Sequence, residues 1–412
     1  MNDRDEKRPY RQALYGCFMP EGSAAIARRD LLKVSALALS GLALPHLAGC
    51  KGGSSQCSGT EAAALDCSAY RALPPNPPPG DTVVAMARRD DVARMTREAI
   101  DIAGGLGEIE SGDTVLIKPN IVITSYSTAA PVVTNREVLA AVIDAVTERT
   151  APANVYVGDA CADLPTPTRT QDVAKWWGIL DLCERKGVCF VSLKEYGFYP
   201  KSHPSWDCLA GWEVPISRFV VDRVQHLINV PVLKNHQAVT GSNCNYSCCI
   251  KNMFGVTDSA WRLSSDSPLG LNAFHNERLA DNLAELHMIL PPILMNVVDA
   301  VSVILRGGPV GAEGTLTTAN PRLVLAGRDR VATDSVALAV LKYHARRECV
   351  TFSDAAMDYT RSSVWQNPQI VRAAHVGLGR INLVCDGLAL EQVAVRDNGS
   401  IDNLGEILAE WT

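Results

Sequence analysis

The sequence predicts an α/β fold in which a mainly parallel, mixed sheet carries helices on both faces and is interrupted by irregular insertions. Two observations support this. From residue 81 onward, short runs rich in Val, Ile and Leu alternate with segments of helical periodicity, the order that βαβ units produce. The composition is that of an ordinary soluble globular protein: 412 residues, 47% hydrophobic, 20% charged, formal net charge -6. That is enough chain for one large α/β domain or two small ones. The mild acidity, without a basic block or aromatic–basic interleaving, argues against nucleic acid as a partner.

In order, residues 82–87 read as a strand, 90–103 as a helix stopped by Gly104, Gly105 and Gly107, and 114–117 as a strand. A helix over 134–148 follows, with Thr134 and Glu137 spaced as a capping box. Residues 154–157, 188–193 and 219–221 are strand candidates. The Trp-rich stretch 176–212 reads as an irregular insertion, with Trp176, Trp177, Trp206 and Trp212 in a core or lid. Residues 226–233 form a short buried strand, 264–272 a loop, and 276–290 a helix stopped by Pro291-Pro292. A buried strand lies within 293–305, with Asp299 near its polar end. The glycine loop 307–314 suits either a tight turn or backbone N–H contacts to an anion. Residues 323–326 and 381–385 are strands, and 333–343 is a helix with Asp334 near its start, where the helix dipole favours it.

Ahead of this domain (81–412), residues 1–50 have the layout of an export signal. Arg28-Arg29-Asp30-Leu31-Leu32-Lys33 resembles a twin-arginine motif, and the apolar segment 34–47 is too short to span a bilayer comfortably. Leu47-Ala48-Gly49-Cys50 resembles a lipobox whose Cys50 is lipidated after cleavage. Lys51 is not the aspartate that retains lipoproteins at the inner membrane, so a periplasmic protein anchored at the outer membrane is expected. Residues 51–80, rich in Gly, Ser, Ala and Pro, form a tether in which Cys57 and Cys67 are spaced for a local disulfide.

The chemistry gathers in residues 232–255, VLKNHQAVTGSNCNYSCCIKNMFG. Lys234 and His236 fall where the 226–233 strand gives way to a loop, and in open α/β sheets ligands sit at that rim. Lys118, Asn120, Asp159, Asp299 and Glu313 also follow apolar runs, so a parallel sheet would bring them to the same edge. There Lys234, His236, Lys251 and Asp159 are the candidate catalytic residues. Two lysines, a histidine and several carboxylates suit a small anionic ligand, acid–base chemistry, or a divalent metal held by Asp159, His236 and Asp299. Each residue alone also has a plain structural use. As loop residues, Lys234, His236 and Lys251 are expected to serve ligand binding or turnover and not folding.

The pattern Lys234-Asn235-His236, Thr240, Lys251-Asn252-Met253-Phe254-Gly255 and His275 resembles the DUF362 family. So do Lys118-Pro119-Asn120, Val157-Gly158-Asp159, Val298-Asp299-Ala300, Gly308-Pro309-Val310-Gly311 and Ala332-Thr333-Asp334. The resemblance spans roughly residues 81–386, and Lys118, Asn120, Asn252, His275, Gly308 and Gly311 are the expected ligand-binding residues. The family's name records an undefined activity. Some members carry a ferredoxin-like iron–sulfur module, but no C-x2-C-x2-C-x3-C run occurs here. Cys244, Cys248 and Cys249 stand where relatives have small or apolar residues. They suit a metal, an iron–sulfur cluster, disulfides or buried thiols. Setting aside Cys17 and Cys50, the cysteines are odd in number, so at least one stays unpaired within the chain. Two functions stay open: an exported enzyme, metal-dependent or redox-linked, acting on a small anionic molecule, or a lipid-anchored protein that captures such a ligand or a metal without chemistry. The sequence leaves the oligomeric state open.

Overall fold

A computed structural model describes residues 82–124, 131–162, 169–236, 243–259, 261, 278–308, 316–353, 355–379 and 393–410. In chain order its elements are β1 (Thr82–Ala87), α1 (Val92–Ile102), β2 (Val115–Pro119), α2 (Arg136–Thr147), β3 (Val155–Asp159), α3 (Thr170–Trp176), α4 (Ile179–Lys186), β4 (Cys189–Ser192), β5 (Phe198–Lys201) and β6 (Val214–Ser217). There follow α5 (Arg218–Asp222), β7 (His226–Val230), β8 (Val232–Asn235), β9 (Tyr246–Ser247), α6 (Cys249–Asn252), α7 (Leu279–Leu286), β10 (Ile293–Arg306), β11 (Thr317–Ala319), β12 (Leu323–Gly327), α8 (Arg330–Arg347), α9 (Pro368–His375), β13 (Val393–Asp397) and α10 (Leu404–Ala409).

Eleven strands form one mixed sheet in the order β13-β1-β12-β10-β7-β2-β3-β4, with β8 and β11 on β10 and β9 on β8. From β10 to β4 every neighbour is parallel, and β1 and β13 are parallel too. The pairs β1–β12 and β12–β10 are antiparallel. This is the predicted α/β architecture. Successive residues of a strand face opposite sides, and here both sides are buried. Val84, Met86, Leu116, Leu323 and Leu325 enter one core with α7, α8 and α9. Ala85, Ala87, Val115, Ile117, Val324 and Ala326 enter the other with α1, α2 and α4. Helix α8 is buried around most of its circumference, as a helix apolar on several faces must be. No helix of the described residues is long and apolar enough to cross a membrane.

Four local expectations change. Residues 226–233 are two strands, because Pro231 cannot donate to the ladder; its carbonyl accepts from the Asp299 N–H at 2.8 Å. Lys234 therefore lies inside β8 and not in a loop. Asp299 sits mid-strand, but β10 is fourteen residues long and outlasts β7, pairing with β7 through Asn296 and with β8 from Asp299. It reaches the rim because its neighbour ends. Residues 219–221 belong to α5, a single helical turn that buries Phe219 and Val220; three apolar residues are too few for periodicity to decide. The helix expected at 134 is capped by Asn135, whose side chain accepts from the Glu137 N–H. Thr134 instead donates to the Val230 carbonyl at 2.6 Å and accepts from the Asn120 N–H at 2.8 Å.

The Trp-rich stretch is more regular than expected, containing α4, β4 and β5, which pairs antiparallel with β6 just beyond it. Within it Trp177 and Trp206 are buried. The expectations at 1–80, Thr240, 264–272, His275, Gly311, Glu313 and 381–385, including Cys50 and the Cys57–Cys67 pair, concern residues outside those described.

Candidate functional site

Lys118 ends β2 and Asp159 ends β3, its parallel neighbour, so their side chains meet at the carboxyl edge of the sheet. The Lys118 ammonium lies 2.7 Å from Asp159 Oδ1, and both residues are buried. A buried ion pair needs further hydrogen bonds to offset the loss of water. Asp159 obtains them from the N–H groups of Ile121 at 2.6 Å and Ala160 at 2.9 Å. Gly255 closes over the pair. A Cβ there would stand 1.9 Å from Asp159 Oδ1 and 2.8 Å from Lys118 Nζ, so the glycine of K-N-x-F-G is required by contact with an ion pair.

Lys234 donates to Asn120 Oδ1 at 2.8 Å and to the Val132 carbonyl. It is 1% exposed. Burial and the neighbouring Lys251 charge pull its pKa from 10.5 down to about 7, against the opposing pull of Asp159 and Asp299. Burial also lifts Asp299 from 3.8 to about 6, although the Asn135 and Val301 N–H groups donate to its carboxylate at 2.7 and 3.1 Å. A cavity of about 760 Å³ reaches Asp299, with Arg136, Lys175, Arg185, Glu137 and Asp181 also in its wall.

From Lys234 a row of side-chain amides runs through the centre of the sheet. Asn120 Nδ2 donates to Asn252 Oδ1 at 2.7 Å, and Asn252 Nδ2 to Asn229 Oδ1 at 2.8 Å. Asn229 Nδ2 donates to Asn296 Oδ1 at 2.9 Å, and Asn296 Nδ2 to the Gly327 carbonyl at 3.1 Å. Every link points the same way, so each amide oxygen accepts from the side before it and each nitrogen donates onward. Buried polar groups must be paired, and this row pairs them while fixing the face that Asn120 turns to the lysine. Asn229 and Asn296 were not among the residues expected at the site. Their signal was present as a single amide inside an otherwise apolar strand, HLINV and ILMNVV.

Lys234, His236 and Lys251 are 1%, 4% and 6% exposed, so they are buried and not the exposed loop charges expected. The Lys251 ammonium lies 4.9 Å from the centroid of the Phe254 ring, within cation–π reach. His236 is fixed at the end of β8 by its N–H, which donates to the Asn245 carbonyl at 3.0 Å. Gly308 serves close packing: a Cβ would lie 1.9 Å from the Asn235 carbonyl oxygen.

Asp159, His236 and Asp299 do not form a metal-binding set. Among the described residues, the group of three close enough to share an ion is Cys248, Cys249 and Asp334. Asp159 is occupied by Lys118, and Asp299 by two backbone N–H groups. Cys244 stands apart from that group, its single S–H within reach of two acceptors, Gln369 Oε1 at 2.8 Å and the Tyr246 carbonyl at 3.3 Å. The Cys248 and Cys249 sulfurs are 3.8 Å apart, too far for a disulfide between them. His287, also missed, is held between Arg330, which donates to Nδ1 at 2.7 Å, and the Ile250 carbonyl, which accepts from Nε2 at 2.8 Å. Burial and the Arg330 charge keep it neutral, with a pKa of about 3.

No curated protein and no solved structure matches this chain. Residues 115–339 match the family described as Domain of unknown function (DUF362). That segment runs from β2 into α8 and holds the lysines, aspartates and asparagines of the rim, and it is more than half of the chain. The chain belongs to the DUF362 family.

Proposed function

We propose that this protein is an enzyme performing acid–base chemistry on a small anionic molecule at the rim formed by β2, β3, β8 and β10. Lys234 moves the proton, and Lys251 offsets negative charge. The supporting observation is Lys234 itself: a buried amine whose pKa falls to about 7 beside a second buried lysine. A group that titrates near neutrality inside a water-poor cluster suits proton transfer. Its ammonium has two acceptors, Asn120 Oδ1 and the Val132 carbonyl, and no third among the described residues. One N–H is therefore available to an anion.

The test is a thermal-shift screen of the full chain with inorganic phosphate, phosphomonoesters, and mono- and dicarboxylates. Lys234→Met and Lys251→Met are run beside wild type. Each substitution should remove a charge-assisted contact of about 1.5–3 kcal/mol, or one to two decades of affinity. Any carbon acid that binds should exchange a proton with deuterated solvent, and that exchange should vanish in Lys234→Met. Ligand shifts that persist in both variants refute the assignment. A ligand bound at Lys251 but never exchanged or altered favours the second reading, capture by a lipid-anchored binding protein, for which the tether 51–80 is suited. Export by the twin-arginine route, with lipid attached at Cys50, belongs to both readings. Its support is Arg28-Arg29 and Leu47-Ala48-Gly49-Cys50. Replacing both arginines by lysine should block export, and Cys50→Ala should abolish labelling by a lipid precursor.

A further inference from the structure

We infer that Cys248, Cys249 and Asp334 form a structural zinc site that pins α6 to α8. The Cys248 and Cys249 sulfurs lie 3.8 Å apart. Two zinc–thiolate bonds of about 2.3 Å at the tetrahedral angle place their sulfurs about 3.8 Å apart, so these side chains already span one edge of a zinc tetrahedron. A carboxylate oxygen of Asp334 lies within 4.8 Å of both sulfurs. All three residues are fully buried, so bulk solvent is kept from the ion, as at a structural site.

The surroundings of Asp334 are those of a ligand held in one orientation. Its Oδ1 accepts from the Cys249 N–H at 2.6 Å. Its Oδ2 accepts from Gln369 Nε2 at 3.1 Å and from the Tyr246 hydroxyl and the Ile250 N–H, both at 3.3 Å. Such outer contacts fix ligating side chains, and the Tyr246 hydroxyl is a neighbouring oxygen for the fourth position. Charge gives an independent argument. Every donor in that list is neutral, so the buried carboxylate has no cation among them. A divalent ion displaces the two thiol protons to solvent and leaves two thiolates, one carboxylate and the metal with a net charge of one negative. The Arg330 guanidinium, which interacts electrostatically with Cys249, offsets the remainder. Lys251 and Asn252 sit on the same short helix as Cys249, so zinc would hold the rim residues of α6 against the core.

The experiment measures metal in the full chain purified from its own host, by elemental mass spectrometry. The expected content is about one zinc per chain. Growth with cobalt in place of zinc should give the ligand-field bands of a tetrahedral thiolate site. Cys248→Ser and Asp334→Asn should each lower metal content about tenfold or more, whereas Cys244→Ser should retain it. If Cys248→Ser does not fold, titrating wild type with a mercurial decides the matter: zinc should leave in step with two thiols. Protein that contains no zinc and takes up no cobalt on refolding overturns the inference. So does a Cys248–Cys249 disulfide in the purified chain, or a folded Cys248→Ser that keeps its full metal content.

Discussion

Replacing Lys234 by methionine removes one buried charge while keeping a linear side chain of similar length. The fall in its pKa from 10.5 to about 7 corresponds to about 5 kcal/mol of preference for the neutral amine. An unfolded chain keeps the Lys234 proton up to about 10.5, whereas the folded chain keeps it only to about 7. Between those values the unfolded state binds more protons, so wild-type stability rises with pH across the window, at about 1.4 kcal/mol per pH unit. The variant lacks that rise. Its stability relative to wild type should therefore fall by about 3 kcal/mol between pH 7 and 9.5. Losing the bonds to Asn120 and Val132 shifts the whole curve, at about 1–3 kcal/mol for each acceptor left unpaired, but does not alter its slope. Lys342, which burial lowers to about 8, is common to both proteins and cancels. Asp299, freed of the Lys234 charge, should titrate above about 6 and steepen the fall just below pH 7. Urea unfolding of both proteins at half-unit pH steps is the assay. A difference that stays flat from pH 7 to 9.5 would show that Lys234 titrates as a solvated lysine, and the acid–base role would go with it.

Three further outcomes follow from the same geometry. Gly255→Ala pushes a methyl group into the Lys118–Asp159 pair. Breaking a buried pair costs about 3–5 kcal/mol, and a loss under 1 kcal/mol in urea unfolding would mean that the pair can move aside. In a double-mutant cycle on Asn229→Leu and Asn296→Leu, the coupling should be about 0.5–3 kcal/mol, since the two amides share a bond; additive effects would remove the row as a unit. The His287 imidazole, its pKa near 3 from burial and Arg330, should show no titration in its ring C–H shifts from pH 4.5 to 8. Below about 6.5 the unfolded chain takes up this proton first, so His287 makes stability fall as pH drops toward 3. A midpoint near 6.5 would contradict the burial argument.

Much of the site could be read from the order of residues. Lys118, Asn120, Asp159, Lys234 and Asp299 each stand at or near the end of an apolar run, and the parallel sheet brings them to one edge. Gly255 and Asn252 were visible within the K-N-x-F-G segment, and α1, α2 and α8 within helical periodicity. What failed depended on partners distant in the chain. Lys234 and Lys251 looked like exposed loop residues because nothing local tells a lysine that it will be covered. The expected metal ligands Asp159 and Asp299 were claimed instead by Lys118 and by Asn135. Asp334 looked like a residue placed for its own helix dipole, yet it receives the N–H of Cys249 from 85 residues away. Sequence by itself determined the alternation of strands and helices that makes the α/β sheet, because periodicity and apolar runs act within a few residues. Tertiary structure alone decided which charges lose water and which donors and acceptors meet. Desolvation and Coulomb energies depend on distance in space, and the separations that matter here, Lys234 to Asn120 and Cys249 to Asp334, are short only after the sheet has assembled.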